Sequence, residues 1–459
     1  METTRLKPLL NEQLGLLGLD YQVVSAKKSK LEVFDGEARK KVTDFICGYG
    51  SCLFGHNHPK IKQALLKALD RNTPTFVQLS QRKEAEKLAV LLDDLAFYET
   101  GKRFNVILSN TGTEAVETAI KHLLLQYQDR LQQFLARGKA VFSKYILNQD
   151  ASDRKHIQDL SDAWAEQIIR MAGEDQTFFI VQKNSYHGQT LGSLSLTSNN
   201  KFRTGFERLL LNCIFIDPSR PDSARLSKSL VTELPFPDIT PEGDLMEINM
   251  PWNLGVGLFA EPILGEGGVI PHTALSIKNI YEIADNFHLP IVWDEIQTGS
   301  YRTGRLFASS RYEGNGDYYI LGKALGGGLA KISALLVDRN CYNPKFDLMH
   351  MSTFSEDEIS SIIAQEFLML ANNEKDKINL LAASIKKELK HIARRCDQVI
   401  REVRCEGLLI GIEFKSLNLS GSYLLQGISR SGYFNYFAAA WFYHNYNIRL
   451  SAPLSNEFS

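Results

Sequence analysis

At 459 residues the chain exceeds the size at which one hydrophobic core stops growing, so two domains are expected. Apolar residues make up 44% and charged ones 23%, ordinary for a soluble globular protein, and a net charge of −1 gives no electrostatic case for nucleic acid or an anionic membrane. No apolar run reaches the ~18 residues that span a bilayer, and the start METTRLKPLLNEQ lacks the basic-then-apolar pattern of a secretion signal.

The six cysteines (Cys47, Cys52, Cys213, Cys341, Cys396 and Cys405) are scattered and form no CxxC pair, so reduced thiols in a cytoplasmic enzyme are expected. The ten histidines form no HExxH, and no metal constellation is found.

In chain order, residues 1–30 read as a polar arm. Leu31 to Phe34 and Val42 to Ile46 look like strands around a turn at Asp35-Gly36, followed by the irregular GYGSCLFGHNHP. Pro59 opens a helix with Ile61, Ala64, Leu65, Ala68 and Leu69 on one face, and a second helix runs from about Gln81 to Ala96. A strand, Asn105 to Leu108, leads into SNTGTEA, where Thr111 and Glu114 have capping-box spacing and put Gly112 and Thr113 in the first helical turn. From about 126 to 176 the chain is charged and glutamine-rich, a helical insertion with a polar break at Asn148 to Ser152.

Strand pattern returns at Thr177 to Val181 and ends in NSYHGQT. A proline-containing, loop-rich region from Asp217 to Pro251 precedes the strand Leu258 to Ala260 and its EPILGEGG end. A helix from Ile277 to Phe287 leads to the apolar run Leu289 to Trp293, which delivers Asp294 of DEIQTG. A second run, Tyr318 to Leu321, delivers Lys323 between Gly322 and a triple glycine. Beyond Cys341 the pattern shifts. Ser355 and Glu358 suit the start of one helix, a long basic helix follows from about Asp376 to Arg395, then the strand Leu408 to Phe414 and a helix from about Phe434 to Tyr446.

Strands alternating with helices predict a mostly parallel sheet covered on both faces, with ligands beyond the carboxyl ends of the strands. The polar clusters SNTGTE, SYHGQ, EPILGEGG, DEIQTG and GKALGGG all fall at such ends, which points to one shared site. Amides at a capped helix start can seat a phosphate, though many helices begin this way. Asp294 alone could simply cap its turn. Lys323 is sharper: a desolvated amine there can form a Schiff base with a carbonyl, the other reading being a lysine that reaches into solvent. A phosphate seat, a buried acid and such a lysine together fit pyridoxal phosphate, whose ring nitrogen needs an acidic partner. Its ring also needs an aromatic or apolar face, for which Tyr186 is a candidate if it is not packed on the surface.

The segments VTDFICGYGSCLFGHNHP, NTGTEAVETAIK, YHGQTLGSLSLT, EPILGEGG, LPIVWDEIQTG, RTGRLFA, ILGKALGGG and STF resemble the ordered motif set of class III aminotransferases, pyridoxal-phosphate enzymes of fold type I. The resemblance covers roughly Val42 to Thr353, with a weaker echo in EGLLIGIEF and NIRLSAPL. With the pattern shift near Cys341, the chain reads as a large domain at 76–340, which would hold the cofactor, and a smaller α+β domain at 341–459 joined by residues 1–75. The resemblance implies that Lys323 holds the cofactor as a Schiff base and shuttles protons. Asp294 would pair with the ring nitrogen, Gln297 would lie near the phenolic oxygen, and Tyr186 would stack on the ring with His187 and Gly188 shaping its loop. Gly112 and Thr113 would hold the phosphate. Thr353 resembles a threonine that reaches the neighbouring subunit's phosphate, implying a homodimer with shared sites. Glu266, Tyr49 and Arg449 resemble substrate-contacting residues, Arg449 as the partner of an α-carboxylate.

Four departures stand out. Leu264 replaces a common glutamine. Gln189 replaces the arginine of ornithine- and acetylornithine-type members, which leaves room for amines or other amino acids. SEDE follows STF in place of GGNP. The insertion has no counterpart in a minimal member. The chain stops at SNEFS, which leaves open that it is one domain of a longer polypeptide acting on a carrier-bound substrate. The expected activity is transfer of an amino group from an amino acid or amine to a keto acid or aldehyde by a ping-pong cycle. The competing readings are a racemase, epimerase or aminomutase on the same scaffold, and a cofactor-binding interaction module.

Overall fold

The computed structural model describes residues 6–77, 79–312, 314–416, 421–430 and 433–452. The SNEFS terminus lies outside them. The chain opens with a helix, α1 (Pro8–Leu16), and three antiparallel strands, β1 (Gln22–Lys27), β2 (Lys30–Phe34) and β3 (Arg39–Asp44). The arm expected over residues 1–30 thus contains a helix and a strand. Most of β1 is exposed, so no apolar alternation announces it, and it is held by pairing with β2. The β3 strand ends at Asp44, short of the expected Ile46, because the Asp44 carboxylate accepts from the Ile46 amide and turns the chain.

Helices α2 (Pro59–Asp70) and α3 (Lys83–Thr100) precede β4 (Phe104–Ser109), α4 (Gly112–Ile146) and α5 (Ala151–Ala172). Next come β5 (Phe178–Gln182), the short α6 (Leu191–Leu196) and α7 (Asn200–Arg203), β6 (Cys213–Ile216) and α8 (Ser223–Leu230). The region read as loops is instead α8 and a hairpin, β7 (Val231–Ile239) and β8 (Leu245–Asn253). Pro235, Pro237 and Pro251 sit within this two-stranded ribbon, where each strand has a free edge that needs no donor.

The middle of the chain continues with β9 (Gly255–Ala260), the paired β10 (Ile263–Leu264) and β11 (Ile270–Pro271), α9 (Ala274–Asn286), β12 (Ile291–Asp294), β13 (Tyr318–Leu321) and β14 (Ser333–Asp338). The last part holds α10 (Glu358–Arg395), β15 (Ile400–Glu406), β16 (Leu409–Phe414), α11 (Tyr423–Arg430), α12 (Phe434–Tyr446) and β17 (Ile448–Arg449). Two helices were expected where α10 runs as one of 38 residues. No glycine or proline interrupts Leu370 to Asp376, and Asn372 is occupied by the Tyr301 hydroxyl. Its N-cap is Asp357, whose carboxylate accepts from the Ile359 amide, so Ser355 lies outside the helix.

Seven strands form the central sheet in the order β4-β14-β13-β12-β9-β5-β6, all parallel except β14. β9, β12 and β13 are buried along their whole length, as strands covered on both faces must be. Alternate side chains enter two different cores. Trp293, Tyr319 and Leu321 pack with Leu92 of α3, Ile280 of α9 and Phe367 of α10. Val292, Tyr318 and Ile320 pack on the other side with Ile120 of α4 and Ile168 of α5.

The insertion extends this second core. α4 passes residue 126 unbroken, and α5 folds back on it where a Cβ at Gly138 would lie 2.1 Å from the Trp164 ring. The Trp164 indole then donates to the Pro235 carbonyl at 2.8 Å, tying the insertion to the β7–β8 hairpin. A second sheet, β1-β2-β3-β17, joins the start of the chain to its far end through parallel pairing of β3 with β17.

Candidate active site

β9, β12 and β13 are neighbours and parallel, so their carboxyl ends arrive at one edge of the sheet and deliver Glu261, Asp294 and Lys323 together. β5, on the far side of β9, adds Tyr186, His187 and Gly188 from the loop after it.

Asp294 is 4% exposed. Its Oδ1 accepts from the Ile296 amide at 3.0 Å and its Oδ2 lies 2.6 Å from His187 Nδ1. The carboxylate is therefore fixed from two sides. Lys323 follows Gly322 at the end of β13 and adopts φ +42, a left-handed conformation that a lysine holds only when its surroundings impose it. Its Nζ donates to Gln297 Oε1 at 2.5 Å. Burial lowers the pKa of the amine, while the carboxylates of Glu266, Asp294 and Glu261 oppose that shift and Arg302 adds to it.

The capping box at the start of α4 is complete: Glu114 Oε2 accepts from the Asn110 and Thr111 amides, and Thr111 Oγ1 accepts from the Glu114 amide. The amides of Gly112 and Thr113 in the first turn have no intrahelical acceptor and are free to face an anion. The helix start lies against Lys323's own strand end: a Cβ at Gly322 would sit 3.5 Å from Gly112 Cα. Glycines hold the space open. A Cβ at Gly112 would lie 2.8 Å from Ile296, one at Gly188 2.1 Å from Thr113 Oγ1, and one at Gly265 2.9 Å from the Gln297 amide. An anion seat, a fixed buried acid, a desolvated lysine and the half-buried ring of Tyr186 make a donor set that fits pyridoxal phosphate.

Tyr49 stands at the rim, 66% exposed with φ +52. Glu266 is half-buried and interacts electrostatically with Lys323 and Tyr186. Arg449 lies in β17, where its Nη1 is 3.3 Å from Asp44 Oδ1; the same carboxylate holds His56 Nε2 at 2.8 Å. Thr353 is exposed, in the segment before α10.

Three further residues belong to the site. Glu261, the first glutamate of EPILGEGG, is 4% exposed; it accepts from the Tyr186 amide at 2.8 Å and the Gly265 amide at 3.0 Å. Burial pushes its carboxyl up to about 7. Its position directly after a fully apolar strand was the available signal. Tyr436 of α12 interacts with Tyr49 and Glu266, a meeting across the chain that no local pattern carries. Arg302, in the RTGR turn, is buried beside Gly50.

The chain matches the family profile described as aminotransferase class-III over residues 19–432. It is 32% identical over 371 residues to ornithine aminotransferase 1 of Staphylococcus saprophyticus, covering 81% of this chain and 76% of that one. It is 30% identical over 418 residues to aminotransferase PigE of a Serratia species, covering 89% of this chain and 40% of the longer relative. Among solved structures, an omega-aminotransferase from Paracoccus denitrificans superposes with a TM-score of 0.69 at 18% identity, covering 95% of this chain and 87% of the other. These similarities do not favour the racemase, epimerase, aminomutase or interaction-module readings.

Proposed function

Because the chain belongs to the class III aminotransferases, enzymes that use pyridoxal phosphate to move an amino group from a donor to a keto acid, we propose that Lys323 is its catalytic base and Asp294 the partner of the cofactor's ring nitrogen. The observation that carries this reading is the half-buried Lys323, whose amine donates to Gln297 just beyond the ends of the neighbouring strands, beside fixed Asp294.

When bound, pyridoxal phosphate supplies an electron-withdrawing ring that stabilises negative charge on the carbon bearing the substrate's nitrogen. Lys323 Nζ, its pKa lowered by burial, takes the proton from that carbon and returns it. Asp294, locked by the Ile296 amide and His187, keeps its charge where the ring nitrogen needs it. The Gly112 and Thr113 amides would bind the phosphate, Gln297 would lie near the ring's oxygen, and Tyr186 would cover the ring's face, with His187 shaping its loop. The two substrates use the site in turn, a ping-pong order.

The donor falls outside the ornithine class in this reading, although the Staphylococcus relative is named for ornithine. Gln189 stands where ornithine-type members carry arginine, and its side chain is hydrogen-bonded to Tyr186. Tyr49, Glu266 and Arg449 border the substrate's approach.

We also propose a homodimer. Met349, Met351 and Phe354 are 58%, 77% and 56% exposed around Thr353, and Phe76 stacks edge-on against Phe354 at 5.0 Å. An apolar patch of this kind suits burial against a second copy, with Thr353 reaching the neighbouring subunit's phosphate seat. The division into 1–75, 76–340 and 341–459 is part of the reading, supported by the β3–β17 pairing of first and last segments. Six free cysteines suit a reducing cytoplasm. No helix among the described residues is long and apolar enough to cross a membrane.

A donor panel of ornithine, putrescine, β-alanine and glutamate, scored by loss of the absorbance of Lys323-bound cofactor, tests the assignment. Putrescine, β-alanine or glutamate is expected to outpace ornithine, and Lys323→Ala to abolish turnover. Preference for ornithine overturns the donor class. Appreciable transfer by Lys323→Ala overturns the site.

A further inference from the structure

Arg302 is 6% exposed, and its Nη2 donates to the Gly50 carbonyl at 2.6 Å. Among the described residues this is its one side-chain hydrogen bond, and no carboxylate pairs with it. A buried guanidinium left without an anion is strongly unfavourable, because burial strips its water and supplies no counter-charge. Natural sites keep such a group where an anion arrives from outside.

The surrounding backbone is built to hold it there. Ser300 (φ +53) and Tyr301 (φ +67) are consecutive non-glycine residues in the left-handed region, and they deliver Arg302 inward. Strain of this kind persists only where neighbours impose it. Tyr301 is buried, and its hydroxyl donates to Asn372 Oδ1 at 3.0 Å. From the β15–β16 hairpin, the Leu408 amide donates to the Arg302 carbonyl at 2.9 Å, and a Cβ at Gly407 would lie 2.5 Å from that oxygen.

The position is beside the reacting amine. A Cβ at Gly50 would lie 3.6 Å from Lys323 Cδ and 3.9 Å from Arg302 Nη2, so both cations flank one glycine. Arg449, by contrast, already has an in-chain anion in Asp44.

We propose that Arg302 is the carboxylate-binding residue of this site, taking the carboxylate of the amino acid or keto acid next to Lys323. The proposal rests on the aminotransferase reading and moves the carboxylate from Arg449 to Arg302. A planar guanidinium whose remaining N–H groups have no acceptor among the described residues can take a carboxylate in a bidentate pair. The anion is then the missing counter-charge of a group the fold has already desolvated.

Binding of unreactive ligands tests this without turnover, so its failure and that of the Lys323 assignment are read separately. The probes are butanoate and its uncharged analogue butanamide, titrated into the holoenzyme by calorimetry. Wild type is expected to bind butanoate and not butanamide. Arg302→Met should weaken butanoate roughly tenfold or more, Arg302→Lys should fall between the two, and Arg449→Gln should weaken it less than Arg302→Met does. Circular-dichroism melting and the folded Arg302→Lys variant guard against reading unfolding as lost affinity. No butanoate binding by wild type, or a greater loss in Arg449→Gln than in Arg302→Met, overturns the proposal. So does an Arg302→Met protein that keeps butanoate affinity but loses cofactor on gel filtration, which would assign the guanidinium to the cofactor's phosphate.

Discussion

Asp294 Oδ2 and His187 Nδ1 meet at 2.6 Å, both side chains almost wholly out of water. His187 Nε2 is also buried and has no partner among the described residues. The pairing is best satisfied if Nδ1 carries the hydrogen and Nε2 is the bare nitrogen. His187 thus acts as a fixed donor that orients the acid.

Replacing Asp294 by Asn keeps the volume and removes the charge. The Asn side chain has one acceptor oxygen where Ile296 N and His187 Nδ1 use two. Turnover should fall by about 10²-fold or more, with a stability loss of about 1–3 kcal/mol from the unmatched donor. Steady-state kinetics and thermal unfolding of D294N check both.

Glu261 sets a pH dependence. Burial is the first cause of its raised pKa, about 7 against 4.5; His187 opposes the rise and Asp294 adds to it. An acid whose folded pKa lies above its unfolded value contributes stability that is present below the unfolded pKa and lost as pH rises through the folded one. Unfolding free energy of the wild type should therefore fall more between about pH 5 and about pH 8 than that of Glu261→Gln. Parallel pH profiles for the two proteins would remove Glu261 as the cause.

Gly188 packs against Thr113 in the first turn of α4. With φ +134 and a Cβ position 2.1 Å from Thr113 Oγ1 and 2.5 Å from Ser193 Oγ, it tolerates no side chain. Gly188→Ala should cost about 1–3 kcal/mol of stability and loosen the cofactor. Melting curves and cofactor content after dialysis measure the two effects.

Trp164 anchors the insertion. It is 6% exposed, stacks near Phe134, meets Phe236 edge-on, and donates to the Pro235 carbonyl. Trp164→Ala should destabilise by about 3–5 kcal/mol, read by denaturant unfolding.

The strands β9, β12 and β13 were legible because both their faces are buried, leaving apolar runs that local pattern can find. The same logic hid β1, whose side chains are mostly exposed, and the β7–β8 ribbon, whose prolines read as loop. It also split α10 in two between Leu370 and Asp376, where the helix runs on with Asn372 held by the Tyr301 hydroxyl. Of the two glutamates in EPILGEGG, sequence resemblance chose Glu266, while the amides of Tyr186 and Gly265 converge on Glu261.

Local sequence determined the kind of chemistry: an acid and a lysine at the ends of adjacent apolar strands, and a capped helix start for an anion. These are short-range features, set by strand periodicity and turn composition. Tertiary structure alone decided which charges are already matched. Asp44 pairs with Arg449 across 405 positions, whereas the buried Arg302 side chain hydrogen-bonds the Gly50 carbonyl and has no carboxylate partner among the described residues. Whether a charge is available to a substrate depends on its distance to counter-charges and on lost water, and both arise only when distant segments pack.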